Sequence, residues 1–324
     1  MANGPKSNQS LRILFMGTPE FAVPSLAALI NEGYNVVGVV TQPDRPSGRG
    51  LRINFSPVKN FALSHHLLLY QPADLRGEQF LNEMKRLQFD LGVVVAFRFL
   101  PERLRELPRW GCINVHASLL PKYRGAAPIH WAVINGEGET GITVFFLDKF
   151  LDTGDILLQR SISIGPEETT GEVYERLKEL GARVLVESIR SIERGDPSRL
   201  KQEEEFVSHA PKIKKEDGRV DWNKTAFSIH NHVRGMTPWP GAFTYHQDQL
   251  LILEKVCVDQ ETRKKGQAGE VVQIDPAVGI DIMTGRGVIR ILQVKPAGKH
   301  SMPAYEFVKG HALRIGDRLD TGRS

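Results

Sequence analysis

Apolar residues first gather at Leu11-Arg-Ile-Leu-Phe-Met16, a run that predicts a buried strand. Gly17-Thr-Pro-Glu-Phe21 follows as a turn, and apolar residues at helical spacing then continue to about Ile30. Residues 34–41 are rich in Val and predict a second strand. Strand, helix and strand at this spacing indicate a parallel sheet, because parallel neighbours need a crossover between them. The alternation continues with helical patterns at 58–64 and 78–87 and strands at 67–70 and 91–96. A short strand at 111–115 leads to a helix at 128–135, strands at 140–147 and 156–164 run together, and a long helix covers 169–193. The expected fold is α/β: a doubly wound, mostly parallel, Rossmann-like sheet domain.

That rhythm stops at Arg194-Gly-Asp-Pro-Ser198. Residues 201–205 form a charge run with no apolar face, which reads as a solvated connector. Beyond it, short Val- and Ile-rich runs at 250–256, 269–274, 279–283 and 288–294 are separated by turn residues. They predict a small β-rich domain, an OB-like barrel. The expected division is a disordered leader 1–10, an α/β domain 11–195, a linker 196–212 and a barrel 213–324.

Composition removes several classes. Of 324 residues, 41% are hydrophobic and 25% charged, which excludes a disordered or fibrous chain. The longest stretch without polar side chains is about seven residues, 91–97, whereas a membrane helix needs ~20. The first ten residues lack the apolar stretch of a signal peptide. Cys112 and Cys257, the only cysteines, offer neither a disulfide framework nor a thiolate metal site. A cytoplasmic enzyme fits these features. From Lys212 onward, 18 Lys plus Arg face 13 Asp plus Glu, so this third holds +5 and the remainder −1. The bias is either an ordinary solvated surface or a weak footprint for a polyanion such as RNA.

The first loop follows a strand and precedes a helix, but Gly-Thr-Pro-Glu-Phe lacks the Gly-x-Gly-x-x-Gly spacing of a dinucleotide site. More informative is Asn114-Val-His-Ala-Ser-Leu-Leu-Pro-Lys-Tyr-Arg-Gly125. On a strand, Asn114 and His116 point to one side and emerge together at its carboxyl end, where open α/β sheets bind ligands. An amide beside an imidazole can polarise a carbonyl, stabilise the oxyanion formed on attack, and move a proton near neutral pH. A hydrogen-bonded structural pair is the competing reading. Leu151-Asp-Thr-Gly-Asp-Ile156 places two carboxylates around a turn. One could orient or charge the imidazole, or both could hold an Asx turn. Asp155 fits the turn better, leaving Asp152 as the candidate functional carboxylate.

Together, Asn-x-His, the following Ser-Leu-Leu-Pro and the later aspartate resemble the folate-dependent formyltransferases. Thr41-Gln-Pro-Asp-Arg-Pro-Ser-Gly-Arg-Gly50, Arg124-Gly-Ala-Ala-Pro128, Asp221-Trp222 with Pro238-Trp-Pro240, and Pro296-Ala-Gly-Lys299 point to the branch that formylates methionyl-tRNA. The likeness runs from about Arg12 to Arg314.

The resemblance implies a one-carbon transferase. Its donor would be 10-formyltetrahydrofolate, and its acceptor the α-amine of methionine esterified to initiator tRNA. Asn114 and His116 would stabilise the oxyanion, and Asp152 would hold the proton-transfer network and favour charged His116. Ser118, Leu119, Leu120 and Pro121 would lie near the folate. Arg45 and Arg49, on a loop too rich in Gly and Pro to form a regular element, would reach the tRNA acceptor end. The barrel would add phosphate contacts, and no metal or membrane would be involved. A monomer is expected. Two departures set this chain apart: Phe97 and Arg98 stand where many relatives have Tyr and Gly, and Phe150 stands where many have Gly. Competing readings are a formyltransferase for a sugar nucleotide or another small amine, a hydrolase releasing formate, and an RNA-binding protein with an inert trio.

Overall fold

A computed structural model describes residues 11–47, 52–259, 264–310 and 313–319; the expected leader and Arg49 lie outside the described residues. The chain divides into two compact units. The first comprises residues 1–125, 141–162 and 174–209, and the second 126–140, 163–173 and 210–324.

The first unit is built on seven strands: β1 Arg12–Gly17, β2 Asn35–Val40, β3 Leu69–Tyr70, β4 Leu91–Val95, β5 Cys112–His116, β6 Glu139–Phe146 and β7 Ile156–Ser163. Their order across the sheet is β7-β6-β5-β4-β1-β2-β3. β1 pairs in parallel with both β2 and β4, β2 with β3, and β4 with β5, while β6 runs antiparallel to β5. The mostly parallel, doubly wound sheet is therefore as expected. Ile13, Leu14, Phe15 and Met16 are fully buried, as are the residues of β4 but for a trace at Val94. Helix-covered parallel strands lie between two dry faces, which is why these segments read as apolar runs without alternation. After β3 the chain returns to the other side of β1. The sheet order thus reverses between β1 and β4, and the carboxyl ends of β1, β4 and β5 share the edge where this topology binds ligands.

One local expectation fails. Arg45–Ser47 pairs antiparallel with Arg52–Asn54, with Arg45 opposite Asn54 and Ser47 opposite Arg52. The stretch expected to lack regular structure thus begins as half of a two-stranded ribbon. Pro46 fits because a short edge strand does not require every backbone N–H for pairing.

The second unit holds an antiparallel sheet formed by β8 Ala242–His246, β9 Gln249–Asp259, β10 Val271–Asp275, β11 Gly279–Met283 and β12 Val288–Pro296. Their order is β8-β9-β12-β11-β10, with Met302–Pro303 added on β12. This confirms a small β-rich domain. Its core gathers Leu251, Leu253, Ile280, Ile282, Ile289 and Ile291 with Ile229 and Val233 of the helix Ala226–Gly235. Trp222 is buried there too, its indole N–H donating to Thr244 Oγ1 at 3.1 Å. Beside this core, Asp281 accepts from Arg290 Nε at 2.6 Å and Nη2 at 2.9 Å, and pairs with Lys264. Asp259 pairs with the same two cations, so Lys264 and Arg290 each face two carboxylates.

Two histidines make this unit acid-sensitive. Burial holds His232 below its ordinary pKa of 6.5, against the opposing effects of a hydrogen bond from its ring to the Gly218 carbonyl and the charge of Asp217. Burial does the same for His130, opposed by its hydrogen bond with the Trp239 carbonyl. Below pH 6.5 the unfolded chain binds protons that the folded one refuses, so stability falls as pH drops until the lower folded-state pKa is passed. Melting curves between pH 7 and 5 should show a shallower loss for His232→Gln than for wild type. Equal slopes would contradict this assignment.

Candidate active site

β5 ends at His116 and carries Asn114 two residues earlier. Alternation along the strand puts the two side chains on the same face. His116 is buried, with its ring edge-on to Phe145. Its Nε2 lies 3.0 Å from the Tyr123 carbonyl. A carbonyl can only accept, so Nε2 carries the proton and donates it there. Nδ1 then faces Asp152 Oδ2 at 3.8 Å. That is too long for a hydrogen bond and leaves the carboxylate facing the ring edge.

Asp152 is also buried and sits at φ 56°, in the left-handed region. Its Oδ2, the oxygen facing His116, accepts the Gly125 N–H at 2.9 Å. The turn around it tolerates little change. A Cβ on Gly154 would overlap the Phe146 carbonyl oxygen. Asp148 accepts from the Phe150 N–H at 3.0 Å and from Thr153 Oγ1 at 2.7 Å. Asp155 instead pairs with Lys201 at 2.8 Å, and its carbonyl accepts the Phe146 N–H at 2.9 Å.

Asn114 and Asp152 open into a cleft of about 70 Å³ whose walls include Phe97, Phe99, Leu100, Leu147 and Phe150. Apolar walls with a few convergent polar groups are the make-up of a ligand site. Among the described residues, the Asn114 amide has no hydrogen-bond partner, so its donors are available to a ligand. His116 is not part of the lining and reaches the cleft only beside Asp152. The departures Arg98 and Phe150 both line the cleft. The Arg98 guanidinium donates to the carbonyls of Pro72 and Ala73, while Phe150 is 60% exposed at the mouth.

Ser118, Leu119, Leu120 and Pro121 do not line the cleft. The Ser118 hydroxyl donates to the Lys122 carbonyl at 2.7 Å. The Leu120 N–H donates to Thr143 Oγ1 at 3.1 Å, and its carbonyl accepts from Gln159 Nε2 at 2.8 Å. Leu119 and Pro121 remain half-buried. Arg45 begins the two-stranded ribbon. The cleft wall at Leu147 was absent from the sequence candidates, whereas Phe97 and Phe150 already stood out there as departures. The signal was present in the apolar Phe150-Leu151 pair, which stands in an otherwise polar turn and stays exposed.

Residues 11–189 match the formyl transferase family, and residues 212–312 match the formyl transferase C-terminal domain. The chain belongs to the formyl transferase family. Among relatives of this formyl transferase, the methionyl-tRNA formyltransferase of Geobacter sulfurreducens is 46% identical over 310 residues, which cover 95% of this chain and 96% of that one. The methionyl-tRNA formyltransferase of Alkaliphilus oremlandii is 44% identical over 95% of this chain and 99% of its own length. Among solved structures, the N-formyltransferase from Helicobacter canadensis, in complex with folinic acid and dTDP-3-aminofucose, gives a TM-score of 0.67 at 19% identity, covering 87% of this chain and 98% of that one. HypX from Aquifex aeolicus, in complex with tetrahydrofolic acid, gives 0.61 at 19% identity over 93% of this chain, and this chain spans about half (47%) of HypX. At these identities the structural likeness shows the shared fold.

Among the described residues of the formyl transferase, no group of three or more His, Cys, Asp or Glu could hold a metal ion. No helix among them is long and apolar enough to cross a membrane.

Proposed function

We propose that the chain transfers the formyl group of 10-formyltetrahydrofolate to the α-amine of methionyl-initiator tRNA. The observation that carries the chemistry is Asp152 Oδ2 at 3.8 Å from His116 Nδ1, beside a cleft into which Asn114 opens. The choice of acceptor rests on the likeness to the methionyl-tRNA formyltransferases.

The apolar walls and the available Asn114 amide suit a flat, mostly apolar ligand with one carbonyl to be held. When bound, the folate supplies the one-carbon unit. Asn114 donates to the carbonyl oxygen and stabilises the charge that develops on it during attack. His116 keeps Nε2–H on the Tyr123 carbonyl and presents Nδ1 for the proton released by the attacking amine. Asp152 stabilises the resulting imidazolium, and the cleft walls exclude water. Ser118, Leu119, Leu120 and Pro121 act at the folate end as the buried support of this loop. Arg45 and Arg49 contact the acceptor end of the tRNA. A catalytic domain 11–195, a linker 196–212 and a tRNA-binding domain 213–324 complete the reading, for a monomer in the cytoplasm.

Incubation with 10-formyltetrahydrofolate and methionyl-tRNA should give formylmethionyl-tRNA, and little product with a nucleotide-linked amino sugar. The opposite preference would overturn the acceptor assignment. The affinity for tRNA should fall steeply with salt, by roughly one unit of log–log slope for each phosphate neutralised, while folate binding barely changes. A flat response would remove the electrostatic role of the basic C-terminal third.

A further inference from the structure

We propose that Arg124 and Gln202 are positioning residues that lock His116 and Asp152 into one frame. This inference rests on the catalytic reading of that pair.

Arg124 lies between the two residues that hold the pair. The carbonyl of Tyr123 accepts from His116, and the N–H of Gly125 donates to Asp152. Both flanking residues have positive φ, 62° at Tyr123 and 131° at Gly125. A backbone in such sparsely populated conformations persists only where its surroundings fix it. The fixing groups come from some 80 residues downstream. Arg124 is buried, and its Nε and Nη2 donate to Gln202 Oε1 at 3.0 and 2.8 Å. The other end of the same amide, Gln202 Nε2, donates at 2.9 Å to the carbonyls of both Asp152 and Gly154. One side chain therefore holds the loop of His116's acceptor and the turn of Asp152 at a fixed separation.

The backbone on either side strengthens this strap. Ser208 Oγ accepts the Tyr123 N–H and Ser208 O accepts the Arg124 N–H, both at 2.9 Å. Leu200 pairs with Ile156 through two backbone hydrogen bonds. The charge run 201–205 is thus more than a solvated connector. Lys201 and Glu203 to Glu205 are exposed, but Gln202 turns inward. Only a neutral amide suits its place, because one end must accept from a guanidinium and the other must donate to two carbonyls. Glutamate would keep the first contact and present an acceptor to the carbonyls.

The strap acts on geometry at the reacting centre, where misplacement by about an ångström can cost ~10²-fold in rate. Gln202→Ala and Gln202→Glu should each lower kcat by about 10- to 100-fold, with KM for either substrate changed by less than about twofold. Glu205→Ala, on the same segment, should match wild type. Gln202→Glu retains the Arg124 partner, so it reports even where Gln202→Ala melts. The NMR signal of the His116 ring, identified by its loss in His116→Ala, should move in both Gln202 variants at fixed pH. Gln202→Ala should cost little more in an Asp152→Asn background, because both changes act on one element. A wild-type kcat and an unmoved His116 signal in Gln202→Glu would overturn the positioning role while leaving the catalytic pair intact. A wild-type rate in Asp152→Asn would overturn the pair, and the positioning with it.

Discussion

Asn114→Ala and His116→Ala should each lower the rate of formyl transfer by about 10²- to 10³-fold at saturating substrates, the effect expected on losing one preorganised group at a developing oxyanion. Their effects on the fold should differ. The Asn114 amide lacks a hydrogen-bond partner among the described residues, so its removal costs no internal contact and the melting temperature should stay close to wild type. His116→Ala deletes the bond to the Tyr123 carbonyl and the edge contact with Phe145, and leaves a buried acceptor without its donor. A loss of about 1–3 kcal/mol in stability is expected there. Neither variant should weaken tRNA binding by more than about threefold, since neither group acts on phosphate. Single-turnover rates measured beside equilibrium tRNA binding separate the two effects. A near-wild-type rate in either variant would remove that residue from the catalytic assignment.

Asp152→Asn should be about as damaging, roughly 10²- to 10³-fold, the effect expected on losing a preorganised charge at the reacting centre. The structure makes this a clean substitution. Asp152 sits at φ 56°, and asparagine is among the few residues that tolerate the left-handed region. Its amide oxygen can still accept the Gly125 N–H, so the turn should survive. What disappears is the negative charge 3.8 Å from His116 Nδ1, and with it the stabilisation of an imidazolium. Asp155→Asn supplies the contrast. Its carboxylate pairs with an exposed lysine, and such surface pairs contribute about 0–1 kcal/mol. The Asp155 variant should therefore retain most of its rate. Equal losses in the two variants would place the effect in the turn itself rather than in the charge.

Most of the fold was legible because hydrophobic periodicity and strand alternation are local. The helix expected at 78–87 spans Glu78–Leu87, and the strand expected at 34–41 spans Asn35–Val40. The projection of Asn114 and His116 from one face of β5 followed from the same local rule. The residues that complete the cleft did not. Phe97 and Phe150 stood out only as departures from the resembled family and Leu147 not at all, because the three come together from segments about fifty residues apart and no periodicity announces such a meeting. Gln202 was hidden for a different reason. In a run of charged residues nothing distinguishes the one polar side chain that turns inward, because the contacts that hold it lie on Arg124 and Asp152. The left-handed φ of Asp152 was equally invisible, since aspartate gives no glycine-like signal for that conformation. Proline and glycine masked the ribbon at Arg45–Ser47, where edge pairing tolerates the missing donor.

The central claim is that the cleft at Asn114 holds the formyl group against Asn114, His116 and Asp152. It is tested most directly by a crystal structure of the intact chain with a non-transferable formyl-folate analogue. The account predicts the flat ring system between Phe97, Leu147 and Phe150, with the formyl oxygen about 3 Å from Asn114 Nδ2. An analogue bound elsewhere, with the cleft at Asn114 and the Asp152–His116 pair left unoccupied, would contradict it.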